Sequence, residues 1–406
     1  MKVLIQKFFT STAVLAGALT LMVSCNKELP QAEPIIPATG SGSTISEVLN
    51  DPSFSILKAA VTRASTAAAT SNFPVSLSNL LGDKTGTYTL FAPTDAAFVA
   101  SGIPSAAALA ALSPGRLDTL LRYHLVGGQA VTSAVIPTTF PNVQLPSSLI
   151  LSAPTSTLPP GLRMPIFPSK RGSNLWVNNI PITQADIPAA NGVVHKVAAL
   201  VAPPSQFLWD RINTDPNLTY LKAAIQRADS GATATGSLQA ALQNPAANLT
   251  VFAPNDVAMQ TILTGLITQA LIGTGMDPAT AAATATALAS TPAVFSNPAL
   301  YASLNATTVK GIVVYHLLGT RAFSVNIPTS ATAVPTLLNS AVAAHPGVTI
   351  QATFGATGVT AATVKGLVNP TPSNILINPT PAPGGTSDQH YINGVLHVID
   401  QVLRPQ

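Results

Sequence analysis

The sequence predicts an α+β fold that occurs twice along the chain. Residues 191–197 read NGVVHKV, and residues 393–399 read NGVLHVI. In each copy Asn-Gly predicts a tight turn, because glycine accepts positive φ freely, and the valine-rich run after it predicts a strand leaving a hairpin. Three more pairs of matching segments, with helical and strand patterns, precede these strands in the same order. The chain is therefore predicted to hold two domains that each mix helices with strands.

The first matching pair predicts an amphipathic helix. Residues 51–64 (DPSFSILKAAVTRA) match residues 215–228 (DPNLTYLKAAIQRA). The aspartate can cap this helix, and the proline suits its first turn. The apolar residues recur with helical spacing, so one face of the helix is expected to dock on a core. A short leading helix is expected before each copy.

The second pair predicts a strand, a turn and a helix within eleven residues. Residues 88–98 (YTLFAPTDAAF) match residues 249–259 (LTVFAPNDVAM). Ala-Pro ends the strand, because the residue before proline is driven out of the helical conformation. Thr94 or Asn255 can cap the next helix, and the acidic Asp95 or Asp256 favours its positive end.

The third pair predicts a helix that ends in Tyr-His and then glycine. Residues 120–128 (LLRYHLVGG) match residues 312–320 (IVVYHLLGT), and glycine is a common helix terminator. Between the second and third pairs the second copy is longer by about thirty residues. This Ala- and Thr-rich insertion, near residues 260–304, is expected to form one or two extra helices. These helices would either be an exposed pair that binds a partner or only fill space beside the core.

In this order, the four segments resemble the fasciclin domain family over about residues 45–405. The resemblance implies an α+β class with two tandem fasciclin-like domains, each a β-sandwich-like wedge of strands with several packed helices. It also implies an extracellular role in adhesion or matrix interaction. In some animal relatives the Tyr-His region has been linked to integrin binding. The corresponding residues here form a candidate interaction motif: Tyr123, His124, Tyr315 and His316.

The composition argues against a nucleic-acid partner. Of the 406 residues 47% are hydrophobic and only 8% are charged, about a third of the usual charged share. The formal net charge is +4, and no Lys/Arg cluster is present. Apolar content is sufficient for real cores, and uncharged polar residues and alanine must cover much of the surface.

The N-terminus predicts export and lipidation. Residues 1–24 have a basic start and an apolar stretch typical of a signal peptide, followed by Cys25, the only cysteine. The sequence before Cys25 resembles a bacterial lipobox, which makes Cys25 the predicted lipidation site. The alternative is an ordinary secretory signal with an unused cysteine. The expected address is the bacterial cell envelope, as an outer-membrane lipoprotein that faces the periplasm or the cell surface.

The predicted domain order follows from these segments. Residues 25–44 form the lipidated cysteine and a disordered tether rich in Pro, Gly and Ser. Domain 1 spans residues 45–204 and domain 2 spans residues 205–406, with the insertion inside domain 2. Only residues 202–205 (APPS) join the domains, and so short and stiff a link predicts a fixed arrangement.

The repeated histidines favour a structural role. Four of the six histidines form two repeat-equivalent pairs inside apolar runs, where a neutral imidazole can tie a helix end to the closing strand. A two-histidine metal site at His124 and His195 is the open alternative, although zinc would need more ligands. No catalytic residue, metal or cofactor is predicted. The residues of the predicted structural motif are Asn191, Gly192, His195, Asn393, Gly394 and His397.

The function predicted from these observations is a non-enzymatic cell-envelope lipoprotein that mediates adhesion or protein and matrix interaction. Its partner would be a protein or a glycan at the cell surface. The alternative function is a glycan-binding accessory of an outer-membrane uptake system, in which Trp176 and Trp209 would stack on sugars. An enzyme is the third class, for which Asp95 and His124 are the residues to test. No Gly-x-Ser-x-Gly, Walker or dinucleotide motif supports it.

Overall fold

The computed structural model describes residues 41–69, 73–151, 161–233, 236–356, 358–378 and 384–406. The predicted signal peptide, Cys25 and most of the predicted tether lie outside these residues. Within them, no helix has the length and apolar character needed to cross a membrane.

Domain 1, as far as the structure describes it, packs helices on an eight-stranded sheet. Its helices are α1 (Ile45–Val48), α2 (Ser55–Ala64), α3 (Leu77–Gly82), α4 (Asp95–Ala100) and α5 (Pro114–Tyr123). Its strands are β1 (Tyr88–Pro93), β2 (Leu125–Gly127), β3 (Leu145–Ile150), β4 (Arg163–Ile166), β5 (Pro168–Arg171), β6 (Asn174–Val177), β7 (Ile180–Ala189) and β8 (Gly192–Val197). The order across the sheet is β4-β3-β2-β1-β8-β7-β6-β5.

Domain 2 repeats this plan with one much longer helix, α9, and one additional helix, α10. Its helices are α6 (Leu208–Thr214), α7 (Thr219–Ala228), α8 (Leu238–Gln243), α9 (Asp256–Gly273), α10 (Pro278–Leu288) and α11 (Ala306–Tyr315). Its strands are β9 (Leu249–Pro254), β10 (Leu317–Leu318), β11 (Thr332–Val334), β12 (Val348–Phe354), β13 (Val359–Lys365), β14 (Ser373–Ile375), β15 (Gln389–Tyr391) and β16 (Gly394–Ile399). The strand order is β10-β9-β16-β14-β13-β12-β11, and β15 pairs with β16.

The closing strand of each domain lies parallel to the strand that ends in Ala-Pro. In domain 1, β8 pairs with β1 so that His195 is opposite Phe91. In domain 2, β16 pairs with β9 so that His397 is opposite Phe252. Each closing strand also leaves an antiparallel hairpin at Asn-Gly, with β7 in domain 1 and β15 in domain 2. The predicted hairpins and closing strands are therefore present.

The central strands separate two cores in each domain. Leu90 and Ala92 of β1 pack in a cluster with the helices, whereas Phe91 between them packs in a second cluster with the outer strands. This alternation follows from the two-residue period of a strand. The same division holds around Phe252 in domain 2. Both faces of the central strands are thus buried, one against the helices and the other against the outer strands.

Two aspartates at the start of α4 and α9 also hold a neighbouring helix. The carboxylate of Asp95 accepts hydrogen bonds from the Ser55 hydroxyl (2.5 Å) and the Ile56 N–H (2.8 Å) at the start of α2. Asp256 accepts equivalent bonds from Thr219 (2.6 Å) and Tyr220 (3.0 Å) at the start of α7. Each aspartate therefore satisfies free N-terminal groups of the second helix of its domain.

The insertion of domain 2 is helical. The helix α9 has 18 residues, whereas its counterpart α4 has six, and α10 follows it. Leu263 and Ile267 of α9, with Ala285 of α10, join the helical core of domain 2. The outward side carries Leu266, which is 50% exposed. One face of the insertion is thus core, and the other faces solvent.

The two domains share a buried seam, which is the name used below for their mutual contact. Phe167 and Trp176 of domain 1 form one apolar cluster with Phe323 of domain 2, and the Phe167 and Phe323 ring centroids are 5.6 Å apart. Phe140 of domain 1 packs against the strand core of domain 2, and Ile392 of domain 2 packs against the strand core of domain 1. Residues 40–406 accordingly form one compact unit.

The seam predicts that the two domains unfold together. Phe323→Leu should lower the free energy of unfolding by about 1–2 kcal/mol and separate one calorimetric transition into two, because it weakens the shared cluster. Phe98→Leu is the matched control, since Phe98 is equally buried but lies in the helical core of domain 1. It should lower stability without separating the transitions. Separation by both variants, or by neither, would contradict coupling through the seam.

Candidate functional site

The Tyr-His pair of each domain lies inside the fold. Tyr123 and Tyr315 are the last residues of α5 and α11, and the histidines follow directly. All four side chains are buried, with at most 2% of their surface exposed. Direct contact with a partner would need these side chains at the surface, whereas the fold places them in its interior.

His124 and His316 tie the end of a helix to the chain after the closing strand. The Nδ1 of His124 donates to the Leu120 carbonyl (2.9 Å), and its Nε2 accepts the N–H of Val201 (2.9 Å). His316 does the same with the Ile312 carbonyl (2.8 Å) and the N–H of Leu403 (2.9 Å). Both ring nitrogens are used by backbone groups, which fixes a neutral ring.

Burial lowers the pKa of both His124 and His316 to about 4. The hydrogen bond to the carbonyl one turn earlier opposes this shift but is the smaller effect. Protonation at Nε2 would also point a new N–H at a backbone N–H. Both rings are therefore neutral at pH 7 and are not available as charged groups.

His195 and His397 form a second network on the closing strands. The Nε2 of His195 donates to the Val131 carbonyl (2.8 Å), and its Nδ1 accepts the N–H of Asp186 (3.2 Å). In domain 2 the partners of His397 are the Ala322 carbonyl (2.7 Å) and the N–H of Asp388 (3.3 Å). The ring centroids of His195 and Phe91 lie 5.5 Å apart. Burial lowers the pKa of His195.

A serine and an aspartate near each of these histidines do not form a catalytic triad. The Asp186 carboxylate accepts hydrogen bonds from the Ser133 N–H (2.7 Å) and the Ser133 hydroxyl. A nucleophilic serine needs a base at its hydroxyl, whereas both nitrogens of His195 are bonded to backbone groups. Asp186 has φ +62° and lies where the register between β7 and β8 shifts, so its carboxylate points toward Ser133 rather than into the strand pairing. The group therefore fastens the β7–β8 hairpin to the loop at Ser133.

The same hydrogen bonds oppose metal binding at His124 and His195. A metal ligand needs a free imidazole lone pair, and in both rings a backbone N–H already uses it. Within the described ranges, no group of three or more His, Cys, Asp or Glu side chains could hold a metal ion.

Asn191 connects two helices to the closing hairpin, a role that sequence reasoning missed. Its Oδ1 accepts the N–H of Ile45 in α1 (2.8 Å), and its Nδ2 donates to the carbonyls of Leu81 and Asp83 at the end of α3 (both 3.0 Å). The turn that it was predicted to form is present, but its buried side chain also holds both helix ends. The repetition of the asparagine was the only available signal.

Asn393 repeats this arrangement in domain 2. Its Oδ1 accepts the N–H of Leu208 at the start of α6 (3.0 Å), and its Nδ2 donates to the Leu242 carbonyl in α8 (2.8 Å). The following glycines, Gly192 and Gly394, lie against the backbone of the neighbouring parallel strand. The repeated Asn-Gly thus joins helices, turn and sheet in each domain.

The fasciclin domain model matches residues 54–203 and residues 227–405. The chain belongs to the fasciclin domain family. The predicted α+β class with two tandem fasciclin domains is therefore confirmed. As a family, fasciclin domains are linked to adhesion or protein interaction and are generally non-enzymatic.

The chain is similar to a protein of Synechocystis and to a solved FAS1 domain pair. Protein sll1483 of Synechocystis sp. (strain ATCC 27184 / PCC 6803 / Kazusa) is 29% identical over 202 residues, which cover 48% of this chain and 94% of that protein. Among solved structures, a FAS1 domain pair from the insect cell adhesion molecule fasciclin I is 14% identical with a TM-score of 0.32. That match covers 89% of this chain and 95% of the other.

The tyrosine of domain 1 reaches the seam between the two fasciclin domains. The Tyr123 hydroxyl donates to the Pro165 carbonyl (3.0 Å), accepts from the Asn178 amide (3.1 Å) and lies 3.4 Å from Nδ1 of His390 in domain 2. Nε2 of His390 lies 2.7 Å from the Arg321 guanidinium. Burial and the neighbouring Arg321 keep the pKa of His390 well below its usual value, so the ring is a neutral acceptor.

The two tryptophans considered for sugar stacking are also buried. Trp176 is 3% exposed, at the seam, and Trp209 is 5% exposed, in the helical core of domain 2. Sugar stacking needs an open ring face, which neither residue offers in this fold.

Proposed function

We propose that this fasciclin protein is a non-enzymatic, lipid-anchored protein of the bacterial cell envelope that mediates adhesion or protein interaction. One observation carries the non-enzymatic part of the proposal. The repeat-equivalent histidines, which are the strongest candidates for chemistry, are buried with both ring nitrogens bonded to backbone groups. The functional part of the protein is then its outer surface, which the two packed domains present.

The composition supports contacts that depend little on charge. With only 8% charged residues, electrostatic steering of a partner is weak, and apolar and hydrogen-bonding groups must provide the contact. A protein partner fits this surface better than an anionic polymer. The glycan alternative loses its two proposed stacking residues, because Trp176 and Trp209 are buried.

Binding to the cell surface tests the adhesion role. We expect labelled residues 41–406 to bind intact cells of the source organism saturably, and unlabelled protein to compete. Raising the salt concentration from 0.1 to 0.5 M should change the affinity by less than about twofold, since few charges take part. Non-saturable binding, or hydrolase turnover by the purified protein that Asp95→Asn abolishes, would contradict this function.

Membrane retention tests the lipid anchor. Cys25→Ser removes the only thiol that could carry a diacylglycerol, so the variant should move from the membrane fraction to the soluble fraction of lysed cells. Met22→Leu, which brings the lipobox closer to the common pattern, is the matched control and should stay with the membrane. Retention of the Cys25→Ser variant would count against lipidation.

A further inference from the structure

A groove of about 650 Å³ is lined by residues of both fasciclin domains. Thr139, Phe140 and Pro141 of domain 1 form one part of its lining, and segments around Leu318 and Val334 of domain 2 form the rest. None of the lining residues carries a charge. The groove is continuous with the seam, because Phe140 also packs on the strand core of domain 2. Its shape therefore depends on the contact between the two domains.

The free edge of a sheet lines this groove. The strand β11, which contributes all its residues to the lining, pairs with β12 on one side and is the last strand of its sheet within the described ranges. The Val334 carbonyl faces β12, because a Cβ placed on Gly347 would lie 1.9 Å from it. Successive residues of a strand direct their peptide groups to opposite sides. The N–H and C=O of the exposed Ala333 therefore face the free side.

Two buried amides beside the groove have unused hydrogen-bonding atoms. Asn142, next to Pro141 in sequence, is 8% exposed, and neither polar atom of its amide has a partner within the described residues. The Oδ1 of Asn326 also has no hydrogen-bond partner within the described residues, while its Nδ2 donates to the Thr139 carbonyl (3.5 Å). Buried polar groups without partners are uncommon and costly. A primary amide offers one donor and one acceptor side, which matches a peptide group.

We propose that the groove binds an extended, uncharged segment of a partner polypeptide, which adds to the sheet beside β11 through the peptide group of Ala333. The inference rests on the proposed function and names its contact surface. Backbone hydrogen bonds to the free edge supply affinity, and the apolar lining selects uncharged side chains. A charged segment would place an unpaired charge against the uncharged lining of the groove, which is unfavourable. A sugar would find only Phe140 as an aromatic residue in the lining, and this residue already packs on domain 2.

Selection from peptide libraries tests the proposal on the full-length chain. The probe is a displayed library of seven-residue peptides without Asp, Glu, Lys or Arg, compared with a library that contains them. We expect enrichment from the uncharged library. Binding of the selected peptide should weaken about tenfold or more in Ala333→Lys, which places a charge at the edge. Ala361→Lys is the matched control, because Ala361 is also exposed on this sheet but outside the groove, and it should bind normally.

A second variant and a second measurement separate edge pairing from nonspecific repulsion. Ala333→Pro adds no charge but removes the N–H, and an edge strand tolerates proline, so peptide binding should fall while the melting temperature holds. Hydrogen exchange of the Ala333 amide should slow when the selected peptide is bound. Normal peptide binding by Ala333→Pro, or no slowing of exchange, would overturn pairing at this edge.

The remaining outcomes are equally decisive. Failure to enrich any uncharged peptide, a preference for charged peptides, or a glycan-array signal that Ala333→Lys abolishes would each overturn the proposal. If no peptide is selected although the protein binds cells saturably, the groove proposal fails and the adhesion role stands. If peptides bind as expected but cells do not, the adhesion role fails and the groove proposal stands.

Discussion

Replacing Gly192 with alanine is expected to destabilise domain 1 by more than about 4 kcal/mol and to prevent it from folding at 37 °C. Gly192 has φ +141°, a conformation that side chains disfavour, and a Cβ at this position would lie 1.8 Å from the Tyr88 carbonyl oxygen. That oxygen belongs to β1, the parallel neighbour of β8, so relief of the clash would separate the two central strands. The loss of sheet pairing adds to the backbone strain.

Gly102→Ala is the matched control for this variant. Gly102 also has positive φ, +86°, but no atom lies within 4 Å of the added Cβ. The control therefore measures the conformational cost alone, which is about 1 kcal/mol. Urea denaturation followed by circular dichroism measures both values. Equal losses for the two variants would mean that the close approach of β8 to β1 is not what requires glycine at position 192.

Acid is expected to unfold the protein between pH 6.5 and pH 4 because of its buried histidines. His124 and His316 have folded-state pKa values of about 4, below the ordinary value of 6.5. In this range the unfolded state binds more protons than the folded state, so stability falls as the pH is lowered. The contribution of these two neutral rings to the free energy of unfolding is fully present above pH 6.5 and is lost at pH 4. Each ring should contribute roughly 3 kcal/mol over this interval.

A histidine variant isolates this effect from the carboxylates. His124→Asn removes one titrating ring, so the dependence of the free energy of unfolding on pH should become shallower by about 1.4 kcal/mol per pH unit between pH 6 and pH 4.5. His316→Asn should give the same change from domain 2. Denaturation at several pH values measures the slopes. Slopes equal to that of the unmodified protein would show that these rings do not stay neutral in the folded state.

Local patterns were enough to predict the repeated helices, the strand that ends in Ala-Pro and the closing strand of each domain. Asp-Pro, Ala-Pro and Asn-Gly restrict the backbone directly, so their effects appear within a few residues. The second role of Asp95 was not visible in this way. Its carboxylate was assigned to its own helix, but it also binds Ile56, which lies in another helix 39 positions away. Such partners depend on tertiary packing, which a single sequence does not display.

The location of the Tyr-His pair, a candidate functional motif, was equally beyond what a single sequence displays. A tyrosine and a histidine flanked by branched apolar residues fit either an exposed contact or a core. The fold decides the location, because α5 and α11 carry these residues inward as they meet the sheet. The seam at Phe167, Phe323 and His390 was also beyond sequence reasoning, since its residues come from segments that the repeat does not share.

Binding by histidine variants tests most directly the claim that the buried network is structural and the outer surface is the functional part. Residues 41–406 carrying both His124→Asn and His316→Asn should be compared with the unmodified protein on intact cells at pH 7, at a temperature where circular dichroism shows both to be folded. Equal affinity with a lower melting temperature is the predicted result. A loss of binding without a loss of stability would contradict the account, because it would make these imidazoles part of the contact.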